Sequence, residues 1–369
     1  MNDNNLMNLK HCFTLSILLI VTLFLSSCAT NQSNQSIEPD IEPKEQMPVV
    51  IETKEPAAKE MEDQAKEVPK ISKETQTITP NGGISQDDLK FDNPSATSDP
   101  FNDPQGPFYH QILRASSEDG LNFNKEEGII FDKASVPDII KLPNGRIIIY
   151  AVDGARRSKS GLMVATSDDN GKTWKQGSLQ LKSPRQFASG ADPEAVLLPD
   201  GRIRLYYVVF LAPQQHGVID TQLKNRVHSA LSSDGIYFEE EEGFRFEYPQ
   251  ITDPDIVNIG DEWFMYLAQG PRLIAASSSD GLSFKFEKII REQGSVSNTV
   301  AITNTIWRQF FCVGDGIGSA TTSDGANLDN DAGFRLKTAD PSKIICDPAP
   351  IQIDSKWILF YKVSPLFRP

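Results

Sequence analysis

Between residues 114 and 328 one pattern of apolar and polar positions returns five times: a short apolar strand, then Ser or Thr, then Asp and Gly, then a bulky residue two or three positions on. The copies are Ala115–Phe123, Ala165–Trp174, Ala230–Phe238, Ala276–Phe284 and Ala320–Leu328. Their glycines, Gly120, Gly171, Gly235, Gly281 and Gly325, lie 51, 64, 46 and 44 residues apart. A second phrase interleaves with the first. Val136-Pro137-Asp138, Asp192-Pro193-Glu194, Asp253-Pro254-Asp255 and Asp347-Pro348-Ala349 each lead through an apolar run and a turn into a strand rich in β-branched and aromatic residues. Another unit, Ser297-Asn298-Thr299, keeps the apolar pattern without a carboxylate. Strand, tight glycine turn, strand predicts a hairpin, and the Ser/Thr-Asp-Gly phrase turns a third strand into a fourth. Four antiparallel strands per unit at this period predict propeller blades.

The register also predicts how the ring closes. The pattern begins with a third-and-fourth-strand pair near residues 110–125 and stops after a first-and-second-strand pair. The expected fold is therefore all-β, a five-bladed β-propeller in which N- and C-terminal strands share one blade and leave no open edge.

The ends of the chain read differently. An apolar run from Phe13 to Leu25 is short for a bilayer span and has the length of a signal-peptide core. It ends in Leu25-Ser26-Ser27-Cys28, which resembles a bacterial lipobox and implies acyl chains such as palmitate on Cys28. Residues 29–104 hold 16 Asp and Glu, 7 Lys, no Arg, and only Phe91 and Phe101 as aromatics. A segment so poor in apolar surface is expected to be a disordered acidic, Pro-rich tether. The expected domains are a lipoprotein signal peptide over 1–28, the tether over 29–104 and the propeller over 105–369. The expected location is a membrane-anchored bacterial lipoprotein on the periplasmic or outer-membrane face.

Charge narrows the function classes. The tether supplies most of the chain's net charge of −14, which leaves the head mildly acidic with no basic stripe, so no nucleic-acid role is expected. There is no Gly-rich nucleotide motif, and neither a cofactor nor a metal is expected. Cys312 and Cys346 lie in adjacent units; an exported protein could bridge them, and two buried thiols would fit equally well. A monomer is expected.

Across most of residues 108–363 the chain resembles the five-bladed propellers of the arabinanase, xylosidase and invertase superfamily of glycoside hydrolases. Ser167-Asp168-Asp169-Asn170-Gly171-Lys172-Thr173-Trp174 also matches the Asp-box pattern of sialidase propellers, where the box holds an outer turn. The resemblance implies carbohydrate as ligand and hydrolysis with inversion, which needs one carboxyl as acid and another as base. Read round the ring from the closing blade, Cys346-Asp347-Pro348 stands where the superfamily has its base. Val136-Pro137-Asp138 and Ala191-Asp192-Pro193 follow in the family's order. Thr252-Asp253-Pro254 then puts an aspartate where the family's general-acid glutamate is expected, and Glu194 is the alternative acid.

Residues two apart on a strand face the same way, so Asp192 with Glu194 and Asp253 with Asp255 are expected to present paired carboxylates to a central funnel, joined by Asp138 and Asp347. Arg156, Arg157, Arg185 and Arg272 are candidates to clamp sugar groups at its mouth. The competing reading makes Asp-Pro a shared structural turn and the protein a catalytically silent scaffold that binds glycan or protein.

Overall fold

The computed structural model describes residues 89–185, 189–211 and 224–366. Cys28, the expected signal peptide and residues 29–88 of the expected tether lie outside the described residues. Among the described residues there is no α-helix, and the strands form five twisted sheets. Blade I comprises Ala134–Lys141, Ile147–Asp153, Leu162–Ser167 and Lys175–Ser178, and blade II comprises Ala191–Leu197, Ile203–Val209, Lys224–Ser232 and Tyr237–Glu240. Blade III comprises Thr252–Ile259, Glu262–Gln269, Arg272–Ser278 and Lys285–Arg291, and blade IV comprises Ser295–Ala301, Trp307–Val313, Gly316–Thr322 and Asp329–Asn330. Blade V joins Lys343–Ile353 and Lys356–Pro365 to Gln111–Ser117 and Asn124–Lys125. Gln111 pairs with Val363 and Ser117 with Trp357, so the two ends of the propeller share a blade as the repeat register predicts.

The first strand of each blade touches the first strand of the next all the way round, which makes these five the inner wall. Between the blades lie apolar cores. Ile148 and Tyr150 of blade I pack with Leu205, Tyr207 and Phe238 of blade II, and Phe310 and Ile317 of blade IV pack with Trp357 and Leu359 of blade V. Each such side chain contributes about 1.5–3 kcal/mol by leaving water.

The Ser/Thr-Asp-Gly phrases form the turns from third to fourth strand. In each, a Ser or Thr hydroxyl bonds the aspartate two residues on, as Ser167 does Asp169 at 2.8 Å, and that aspartate accepts following backbone N–H groups. These bonds lower the pKa of Asp119, Asp169, Asp280 and Asp324, most at Asp119 and Asp169. At Gly325 the turn sits so close to Phe264 of the preceding blade that a Cβ would overlap the ring.

Packed residues start before 105. Leu89 and Phe91 lie against the cores at blade I, Ser178 N–H donates to the Lys90 carbonyl at 3.0 Å, and Asp92 takes Lys159 N–H at 3.0 Å. From there residues 93–109 cross the end of blade I. Ala96 N–H bonds the Ala155 carbonyl, and Gly154 lies under Pro107 with no room for a side chain. Residues 89–104, expected in the tether, thus form a strap on the propeller. A composition averaged over 29–104 hides its three local anchors, Leu89, Phe91 and Phe101.

Candidate functional site

Every inner strand carries the same kink. At Val136, Asp192, Asp253, Val296 and Asp347 the backbone is left-handed, with φ of 48, 50, 49, 54 and 50°. Each kink coincides with a bulge in the pairing to the second strand. In four of the five a proline follows, and its missing N–H suits a residue that the bulge leaves out of the ladder. The kink does not require a carboxylate, because Val136 and Val296 adopt it too, although a β-branched residue does so at some cost.

The bulge corrects one expectation. It breaks the alternation between Asp192 and Glu194 and between Asp253 and Asp255, so the six acids form two layers of unlike surroundings instead of one ring. In the outer layer, at the strand starts, Asp192, Asp253 and Asp347 line an axial cavity of about 20 Å³ together with Val136 and Val296, and Glu194 and Asn298 of the inner layer line it too. That is room for one water-sized particle. Asp253 N–H donates to Asp192 Oδ2 at 3.3 Å, and Lys362 Nζ lies 2.8 Å from Asp347 Oδ2. Burial, with the nearby Asp253 and Asp347 charges, pushes Asp192 well above the usual carboxylate range. Burial and Asp347 push Asp253 up to about 6.

The inner layer holds Asp138, Glu194 and Asp255, and each reaches the next blade. Asp138 Oδ2 accepts Ala195 N–H at 2.7 Å, Glu194 Oε1 accepts Ile256 N–H at 3.4 Å, and Asp255 Oδ1 accepts Thr299 N–H at 2.9 Å. Asp255 Oδ2 also takes the Ser297 and Thr299 hydroxyls at 2.7 Å each and the Gln309 amide at 3.3 Å. Asn298, at the blade that lacks an acid, donates across the axis to Asp138 at 2.9 Å and Glu194 at 3.3 Å. Burial raises Asp138 and Asp255 to about 6. Burial and the charges of Asp138 and Asp255 push Glu194 well above the usual carboxylate range. These three acids act as joints between blades.

The four arginines are engaged within the protein. Arg157 Nε pairs with buried Asp153 at 2.8 Å and stacks on Phe91 of the strap, and Arg156 stacks on Phe101. Arg185 binds Glu240 at 2.9 Å beside Tyr207, and Arg272 pairs with Glu292 at 2.8 Å on the surface. None of the four lines the axial cavity. His110 is held by Ser135 and the Gln105 carbonyl; burial, chiefly, lowers its pKa to about 4. Cys312 and Cys346 form a disulfide between blades IV and V. With both sulfurs bridged, they leave no thiolate pair beside Asp347 to ligate a metal.

Sequence reasoning missed Lys362 and Asn298. A signal for the first was present: within the second strands IIIYAV, IRLYYVV, WFMYLA and WILFYKV, Lys362 is the charge set among apolar residues toward the strand's end.

No protein-family model matches the chain, and no curated protein matches it. Solved structures are similar in fold. A protein of unknown function from Dyadobacter fermentans aligns over 69% of this chain and 84% of its own, at 15% identity and a TM-score of 0.46. A family 117 glycoside hydrolase from Zobellia galactanivorans aligns over 74% and 90%, at 14% identity and a TM-score of 0.41. A family 32 β-fructofuranosidase from Bombyx mori aligns over 61% of this chain and 54% of its own, at 13% identity and a TM-score of 0.44.

Proposed function

We propose that the chain is a carbohydrate-active propeller that works at the mouth of its axis, with Asp192, Asp253 and Asp347 as the working carboxyls. One observation carries the reading: the inner-strand kink is made equally by valine in two blades, so the fold does not explain why three blades place an aspartate there. Burying a carboxyl costs free energy unless it is paired or hydrogen-bonded, and acids with raised pKa values gather at functional sites.

In the inverting chemistry that the family resemblance implies, Asp253 is the acid and Asp347 the base. A carboxyl raised to about 6 can still give up a proton near neutrality. The cavity admits a water but no sugar ring, so a glycan would lie over the mouth with the reacting bond at the carboxyls. In the same reading Cys28 carries the lipid that holds the protein on a membrane face; a Cys28→Ser variant that stays in the membrane fraction would remove that part.

The test is hydrolysis of oligosaccharides of arabinose, xylose and fructose by the parent, Asp253→Asn and Asp347→Asn. Each variant is expected to lower turnover about 10²–10⁴-fold; Asp253→Asn should keep a melting temperature close to the parent's, whereas Asp347→Asn strips the buried Lys362 of its partner and should lower it. A second reading, a silent glycan-binding propeller, is favoured by the ion pair that occupies Asp347. It holds if the parent binds a glycan saturably, the variants bind less, and nothing is cleaved. Absence of both binding and cleavage rejects the glycan role.

A further inference from the structure

Lys362 stands opposite the residue that opens the bulge in blade V. At the equivalent positions the other blades carry Val152, Val208, Ala268 and Cys312. The strand therefore packs without a lysine in four of five cases. Its side chain is only 16% exposed, and its ammonium lies 2.8 Å from Asp347 Oδ2. The charged or titratable groups that face it are Asp347 of its own blade, Asp253 of blade III, Asp192 of blade II and His110 from the segment before blade V's third strand. A buried ion pair is a weak source of stability, since an apolar pair of similar volume commonly serves as well. The pair calls for another explanation.

We propose that Lys362 is the positioning residue of the mouth: its ammonium pairs with Asp347 and sets that carboxyl apart from the neighbouring Asp192–Asp253 pair. The inference rests on the mouth being the working site, and it deepens that reading by saying what makes three like carboxyls unlike. Two are joined by a backbone hydrogen bond, Asp253 N–H to Asp192. The third is the one in direct contact with the ammonium, at 2.8 Å. Burial works against the charged lysine, and the surrounding Asp347, Asp253 and Asp192 outweigh it, so the ammonium persists above the ordinary lysine range. The lysine in turn pulls both Asp192 and Asp253 downward against burial. Removing it must move their titration to higher pH.

The experiment is a carboxyl-carbon NMR titration of aspartate-labelled protein, comparing the parent with Lys362→Met and Lys362→Arg. In Lys362→Met the Asp192 and Asp253 transitions are expected to rise by about one pH unit or more, and in Lys362→Arg to return toward the parent. Unchanged transitions in Lys362→Met, or an arginine variant that titrates like the methionine variant, overturn the proposal. If Lys362→Met does not fold, the lysine side-chain signals of the parent decide. A proton kept to about pH 10 supports the ion pair, and one lost earlier overturns it. None of these readouts needs turnover. Titrations that move as expected in a protein without glycan activity would leave Lys362's role standing and reject the glycan reading; glycan turnover with unmoved titrations would do the reverse.

Discussion

At the three junctions that lead from blade I to blade IV, an inner-strand acid and a second-strand tyrosine each cross to the next blade; at the two junctions flanking blade V neither does among the described residues, and the acid that crosses there is Asp354 of an outer turn, which accepts from Asn170 at 3.3 Å. Asp138, Glu194 and Asp255 accept backbone N–H groups of blades II, III and IV, while Tyr150, Tyr206 and Tyr266 donate to the carbonyls of Gly235, Gly281 and Gly325 at 3.0, 2.8 and 2.5 Å. The equivalent second-strand residues in blades IV and V are Phe310 and Phe360. Blade V offers Pro350, with no N–H, where an acid of blade IV would reach, and Ala349, with no acceptor, where blade I would be reached. What replaces the polar joints is the Cys312–Cys346 disulfide on one side. On the other, Arg114 bonds the Gly171 carbonyl at 3.3 Å, and Trp174 packs edge-on against Phe131 and Phe360. The comparison separates joints whose strength depends on a proton from joints that do not. The blade assembled from both ends of the propeller uses the second kind.

The largest expected effect is collective, and it is a reversal of the usual acid sensitivity. Asp138, Asp253 and Asp255 are raised to about 6, chiefly by burial, and burial also pushes Asp192 and Glu194 well above the usual carboxylate range. A group whose folded pKa is raised contributes stability that is complete below its unfolded pKa, near 4, and is lost as pH rises through the folded value. His110, lowered to about 4 mainly by burial, and His228, lowered mainly by burial, act in the opposite sense over the same window. Five acids outweigh two histidines, so the melting temperature should be higher near pH 5 than near pH 8. Hydrogen exchange should loosen the inner strands of blades I to III first. A melting temperature that rises steadily from pH 5 to 8 would sink this account of the joints.

Next in size is the breaking of one joint of each kind. Asp255→Ala leaves the Thr299 N–H, two hydroxyls and the Gln309 amide without their acceptor, and should cost about 3 kcal/mol or more at pH 5. Replacing both Cys312 and Cys346 by serine should cost about 2–4 kcal/mol, with the same penalty at pH 5 and pH 8. Urea unfolding at the two pH values checks both. A disulfide penalty that tracks pH, or an Asp255→Ala penalty that ignores it, would erase the distinction between the two kinds of joint.

The ring, its shared blade and the outer turns were legible in the sequence because each rests on local repetition: strand pattern, glycine turns and the offset at the two ends. The sorting of the six acids was not. It depends on a left-handed bulge that Asp192 and Val136 adopt alike, and no side-chain pattern announces a backbone state that valine also takes. The strap escaped because Leu89, Phe91 and Phe101 are single anchors in an acidic stretch. Asn298 looked like a missing acid; its amide instead supplies hydrogen bonds to two acids that come from blades I and II, more than a hundred residues away.

The smallest expected effect tests whether the three polar junctions act one by one. Tyr150→Phe, Tyr206→Phe and Tyr266→Phe each remove one buried hydroxyl and keep the ring, which already serves as Phe310 and Phe360 in the other two blades. Each should cost about 1 kcal/mol, the usual worth of one hydrogen bond whose carbonyl partner is left dry. The three bonds share no partner, so the triple variant should cost the sum to within about 0.5 kcal/mol. Chemical denaturation of the singles and the triple measures this directly. A triple penalty well above the sum would mean that loosening one junction strains the next through the closed ring. The contrast between blades I to III and the seam at blade V would then describe one continuous hoop, with no separable joints.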